Sequence, residues 1–378
     1  MSRMIYADNA ATTKLDIDAF EAMRPYLLDQ YANASQPYSF ARQTKKALQE
    51  SRIQIAACIN AEPEEIYFTS GGTESDNWAI KGSVEYGDYR AVITSEFEHH
   101  AILRACEKVE ALGYPVAYLH PNKNGFITPD NLETTISDQT KLVSIMMVNN
   151  EIGTIQPIKE LCDVAHKHGA IFHTDAVQAL GHIPVDVKAL GVDMMSCSAH
   201  KFNGPKGIGF LYIKKGTKIS AYADGGAQEF GLRAGTENVA SIVGMSIALQ
   251  KNVANLSDFQ SKLLLLEQAL VDKINSAGIN YRRNGTEPRV PGNLSLSFPG
   301  TNGEAILHRL DLMGIMVSTG SACDSKNTHI SHVLHAIDTD ERYAKGTIRI
   351  SLGKDNTVNE AEKIADAIIK VVSQKRQS

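Results

Sequence analysis

Lys201 ends an apolar run, Asp193 to Lys201, in which Ser198 and His200 stand just before it. A lysine at the mouth of a strand, behind a serine and a histidine, can hold an aldehyde cofactor as a Schiff base. The amine must be deprotonated to attack a carbonyl, and partial burial or cationic neighbours lower its pKa. Four other short apolar runs also end in polar residues. Thr69 is followed by Ser70–Gly71–Gly72–Thr73–Glu74, where glycines and a helix start would suit a phosphate. Ile93–Thr94 leads to Glu98–His99–His100, and a histidine there could stack on an aromatic ring or move protons. Val148 leads to Asn149–Asn150–Glu151. His173 leads to Asp175 and Gln178, and an aspartate there could pair with a protonated pyridine nitrogen. Each residue alone reads as a cap or a core hydrogen-bonding group. Together, phosphate loop, stacking histidine, pyridine-pairing aspartate and Schiff-base lysine point to pyridoxal 5'-phosphate.

These residues need a frame that delivers strand ends to one place. The strands predicted from the pattern are 65–69, 91–95, 142–148, 170–173, 194–198 and 209–213, with helical stretches between most of them. One such helix, 158–168, is closed by Gly169 as a C-cap. Strand–helix alternation predicts an α/β fold with a mainly parallel sheet flanked by helices, which binds ligands at the carboxyl ends of its strands. Ser257 is the predicted N-cap of a long amphipathic helix, 258–277. Beyond it come shorter strands (293–298, 315–318, 347–351) and a terminal helix, 359–372. The expected division is a large cofactor-binding domain, residues 15–256, and a smaller α+β domain from residues 1–14 and 257–378.

Composition narrows the function. The 378 residues are 43% hydrophobic with a net charge of −5, which excludes a general nucleic-acid-binding surface. No stretch is apolar enough to span a membrane. The chain reads without a signal peptide, and its five scattered cysteines form no CxxC pair, so reduced thiols and a cytoplasmic location are expected. Cys58, Cys106, Cys162 and Cys197 sit in apolar patterns and read as core residues. His329, His332 and His335 recur every third residue, and His166, His168 and His173 also resemble a ligand set. Both groups read as loop, helix-end or core histidines, and no metal is expected.

The chain closely resembles the cysteine desulfurases of the NifS/IscS type, within the fold-type I, class V aminotransferase-like group. The matching segments are Asp8–Thr13, Thr69–Asn77, Glu98–His99, Val148–Gly153, His173–Gln178, Ser198–Lys201, Gly225–Gly226, Arg233–Asn238, Gly320–Cys323 and Ile348–Gly353. The resemblance implies that Lys201 holds pyridoxal phosphate and later moves protons, Asp175 pairs with the pyridine nitrogen and Gln178 bonds the ring hydroxyl. His99 would stack on the ring, and Gly72, Thr73, Ser198 and His200 would hold the phosphate. Asn150 would contact cofactor or substrate. Thr236 would reach the phosphate of a neighbouring subunit, which implies a homodimer. Arg349 would fork onto the substrate α-carboxylate. Cys323 would attack the sulfur of L-cysteine, leaving alanine and a Cys323 persulfide for a sulfur-acceptor protein, either an iron–sulfur scaffold or a thiolation enzyme. The alternatives are a selenocysteine lyase, another class V aminotransferase-like enzyme, or a degenerate scaffold homologue.

Three places depart from the family pattern. Tyr38 stands where a histidine is expected. Asp324 follows the cysteine, and a carboxylate there should raise the thiol pKa unless Lys326 or a histidine offsets it. The chain also ends soon after its last helix, without the longer tail of some scaffold-docking members.

Overall fold

The computed structural model describes residues 4–84, 88–320 and 330–373. A seven-stranded sheet runs in the order Ile66–Thr69, Gly209–Ile213, Met194–Ser198, Ile171–Asp175, Thr140–Ser144, Ala91–Ser95, Val116–Leu119. Gly209–Ile213 is antiparallel to both its neighbours, and the other strands share one direction. The central strands are apolar along their length because both sheet faces are covered. Ile93, Val143, Phe172, Met195 and Phe210 enter one core. Their chain neighbours Val92, Leu142, Met194 and Leu211 enter another. This is the period of two expected of strands with two buried faces.

A further core joins Ile5 and Ala7 to Leu266, Leu294, Ile315, Ile348 and Ile368. It is built on the antiparallel strands Thr347–Ser351, Asn293–Ser297 and Arg282–Arg283, with Ile5–Tyr6 pairing in parallel with Ile315–Met316. The segment after Ala7 runs from this core toward the large sheet. Asn9 N donates to Ser351 O, and Thr13 N donates to His200 O.

The differences from the sequence pattern have local causes. Val116–Leu119 pairs at the sheet edge and is only partly buried, so its apolar signal is weak. The predicted strand 142–148 is Thr140–Ser144. Past Ser144 the hydrogen bonds Ile145 N to His173 O and Met147 N to Asp175 O continue the chain along one neighbour. The long helix is Leu256–Ser276, with Asn255 rather than Ser257 at its N-cap position. The preceding helix ends at Ala254, so there is no room for a separate turn before Ser257. Gly169 does adopt a left-handed φ of 72° beyond the helix Ile158–Lys167. Among the described residues, no helix is long and apolar enough to cross a membrane.

Candidate active site

The site lies where the carboxyl ends of the parallel strands meet the 8–13 segment. Lys201 follows Met194–Ser198 in a short 3-10 turn, and its Nζ donates to the carbonyls of Ala10 (2.7 Å) and Ala11 (2.8 Å). Gln178 Nε2 donates to the same Ala10 carbonyl at 2.9 Å. Asp175 is the last residue of its strand and is buried. Burial pushes its carboxyl up to about 6, against the pull of the Val177 N–H, which donates to Oδ1 at 2.8 Å, and the charge of Lys201. Two chemically opposed groups therefore sit within electrostatic reach of each other at adjacent strand ends.

His99 caps the helix His100–Glu110, its Nδ1 accepting from Ala101 N at 3.1 Å. Burial, with the nearby charges of Lys201, His100 and His332, drops its pKa to about 4. The ring is thus neutral near pH 7, with its acceptor nitrogen fixed by the cap.

The residues of the expected phosphate loop form a close backbone approach. Gly71 has a φ of 146° and opens the helix Gly72–Ser83. A Cβ on Gly72 would lie 2.6 Å from Val177 Cγ2, and one on Gly209 would lie 2.8 Å from Gly71 Cα. Ser198 lines this cradle, 3.5 Å from where a Gly71 Cβ would be. Thr73 is the second residue of the same helix. His200 Nδ1 meets Thr12 Oγ1 at 3.1 Å, and burial lowers its pKa to about 4. Helix N-terminal N–H groups beside small residues make an anion site.

Arg349 lies on Thr347–Ser351 and is almost fully buried. Its Nη2 donates to Asp8 Oδ1 at 2.7 Å, its Nη1 donates to the Asn150 carbonyl at 3.1 Å, and its buried Nε has no partner among the described residues. Asn150 thus meets Arg349 through its backbone. Thr236 is not brought to Lys201: it is exposed, on a loop that Arg233 ties to the phosphate-loop helix through Glu74 at 2.8 Å. Tyr38 is half exposed, at the start of a short turn. Cys323, Asp324, Lys326 and His329 lie outside the described residues.

The sequence missed a buried polar layer beneath the site. Glu98 is fully buried; Oε1 accepts from Ser95 Oγ (2.5 Å) and Met146 N (2.9 Å), while Oε2 has no partner among the described residues. Burial pushes this carboxyl up to about 8. Asp76 is also buried, and burial with the charge of Asp175 raises it well above the usual range. His173 sits between Ser144 Oγ (2.8 Å) and Ser196 Oγ (2.9 Å), and burial lowers its pKa to about 3. His166 instead pairs with Asp193 at 2.7 Å and His168 with Glu133 at 3.3 Å, so these histidines face different partners. A carboxylate following a strand by three residues, as Glu98 follows Ser95, was the available signal.

The fold and this constellation define a class: the chain belongs to the class-V aminotransferase family, whose model matches residues 5–364. Within it, the chain is 45% identical over 379 residues to the cysteine desulfurase IscS of Dictyoglomus turgidum, covering 100% of this chain and 96% of the relative. It superimposes on a NifS-like protein with a TM-score of 0.93 at 36% identity, covering 98% of this chain and 100% of that one. It also matches SspA in complex with cysteine, with a TM-score of 0.83 at 35% identity, over 93% of this chain and 100% of that one. The family depends on pyridoxal 5'-phosphate. The residues here fit that cofactor: a glycine cradle that a Cβ would fill, a buried carboxyl at a strand end, a neutral flat imidazole and a lysine at the strand mouth.

Proposed function

We propose that this chain is a cysteine desulfurase that converts L-cysteine to L-alanine and passes the sulfur through Cys323 to an acceptor protein. The observation that carries the reading is that Lys201 and Gln178 both bond the Ala10 carbonyl, with Asp175 and His99 within electrostatic reach of Lys201, in a chain 45% identical to a named cysteine desulfurase along its whole length.

Bound pyridoxal phosphate supplies an aldehyde carbon for amines and a ring that accepts electrons from bonds broken at the substrate Cα. Lys201 would attach the cofactor, then take and return the Cα proton. Asp175, an anion at neutral pH with its shifted value of about 6, would hold a proton on the ring nitrogen. Gln178 would hold the ring hydroxyl, and the neutral His99 ring would stack without adding charge. Gly72, Thr73, Ser198 and His200 would bind the phosphate, joined by Thr236 of a second copy in a homodimer. Arg349 would hold the α-carboxylate beside Asn150. The Cys323 thiolate would attack the substrate sulfur: an S–S bond forms, the C–S bond breaks, its electron pair stays with carbon, and protonation gives alanine. The remaining persulfide is the form in which sulfur leaves for an iron–sulfur scaffold or a thiolation enzyme in the cytoplasm. The separate core around Leu294, Ile348 and Ile368 supports a small domain carrying Cys323 and Arg349 against the large one.

The test measures alanine and sulfide from L-cysteine with a reductant, in wild type and Cys323→Ala. Stoichiometric products that vanish in the variant, while its visible spectrum still responds to cysteine, are expected. Equal turnover in both would remove Cys323 from the reaction.

A further inference from the structure

Arg349 is already occupied by an anion. Its Nη2 holds Asp8 Oδ1 at 2.7 Å in an ion pair whose side chains are 7% and 20% exposed. Its Nη1 is turned to the Asn150 carbonyl, and its Nε–H is buried without a partner among the described residues. Among the described residues, Glu151 is also near Arg349, but burial pushes its carboxyl up and Ser331 Oγ bonds it at 2.6 Å, whereas Asp8 pairs directly with the guanidinium. Asp8 also opens the segment whose Ala10 and Ala11 carbonyls receive Lys201 and whose Thr12 meets His200.

We propose that Asp8 is a positioning residue that serves as the resident counter-ion of Arg349, which an incoming α-carboxylate must displace or share. The inference rests on the reading that Arg349 binds the substrate carboxylate. A guanidinium left unpaired in this buried wall would be costly, and one paired too strongly could not accept substrate. Asp8 keeps the fork oriented in the free enzyme, and its own partial exposure lets it yield. Its charge therefore lowers the affinity for every monocarboxylate amino acid while holding Arg349 in place.

Asp8→Asn separates charge from orientation, because the amide oxygen can still accept from Nη2. The holoenzyme is titrated with L-alanine, which carries the product's carboxylate and no thiol, and the cofactor absorbance is followed. The expected dissociation constant falls about fivefold, the size of a partly exposed ion pair. KM for L-cysteine falls with it and kcat changes less. Asp8→Glu, which keeps the charge, stays near wild type, and Asp8→Ser provides a second uncharged variant. An unchanged or larger constant in both uncharged variants, with melting temperatures showing them folded, overturns the counter-ion role. Arg349→Gln distinguishes the two levels: if it leaves alanine binding intact, the carboxylate-site reading itself is wrong. A purely structural Asp8 cannot account for tighter binding on its removal.

Discussion

Ser331 Oγ donates to Glu151 Oε2 at 2.6 Å, and so fixes a buried carboxyl between the two ends of the segment that contains Cys323. On the other side of that segment, the same Glu151 oxygen occupies the space a Cβ on Gly320 would need. Glu151 cannot swing away without losing Ser331. Gly320→Ala is therefore expected to cost about 1–3 kcal/mol, as overpacking does. Urea unfolding measures it, and a variant as stable as wild type would mean that Glu151 yields freely.

Glu98 makes stability depend on pH. Its folded value of about 8 lies above its ordinary 4.5, so the native state keeps a proton that the unfolded chain releases. The resulting stabilisation is full below 4.5 and is lost as pH rises through 8. His99 and His200, held near 4, and His173, near 3, act in the opposite sense. Their contribution is complete above 6.5 and is lost as pH falls below it. Above that point Glu98 contributes the opposite slope. Wild type should lose about 2 kcal/mol between roughly pH 6.5 and 8 for one such proton. Glu98→Gln should flatten that limb in melting experiments. Parallel curves for the two proteins would contradict an un-ionised Glu98.

Arg52 and Glu229 form a buried pair at 2.7 Å, with side chains 15% and 3% exposed. Glu229 also accepts from Phe68 N at 2.8 Å, and the Arg52 guanidinium lies 4.4 Å from the Phe68 ring centroid. Glu229 and Phe230 hold left-handed φ values of 45° and 56° in the loop that leads to Thr236. Glu229→Ala leaves Arg52 buried and uncompensated, and should cost about 3–5 kcal/mol. Denaturant midpoints check it; a loss below about 1 kcal/mol would place the pair among surface contacts.

Lys201→Ala removes the amine that would carry the cofactor. Borohydride reduction followed by mass spectrometry should fix a cofactor mass on Lys201 in wild type and none in the variant. A fixed mass at another lysine would reassign the attachment point. The variant also removes the Lys201 bond to the Ala11 carbonyl and leaves the Ala10 carbonyl with Gln178 as donor, so a modest fall in melting temperature is expected alongside.

The sequence by itself determined much of this protein. Apolar runs with polar ends marked Lys201, Asp175 and His99, because a strand buried on both faces must change character where it emerges. Gly71–Gly72 before a helix was equally legible, since only glycine permits that backbone approach. The weakly apolar strand Val116–Leu119 was not legible, because an edge strand needs little burial. The tertiary structure alone decided which distant residues meet. Asp8 and Arg349 are 341 positions apart, and Lys201 and Ala10 are 191 apart. It also decided that Glu98 and Asp76 are buried beside Asp175, which makes them acids rather than surface charges. Periodicity tells which face of an element is apolar. It says nothing of which elements become neighbours, and electrostatics depends on those neighbours and on the water they exclude.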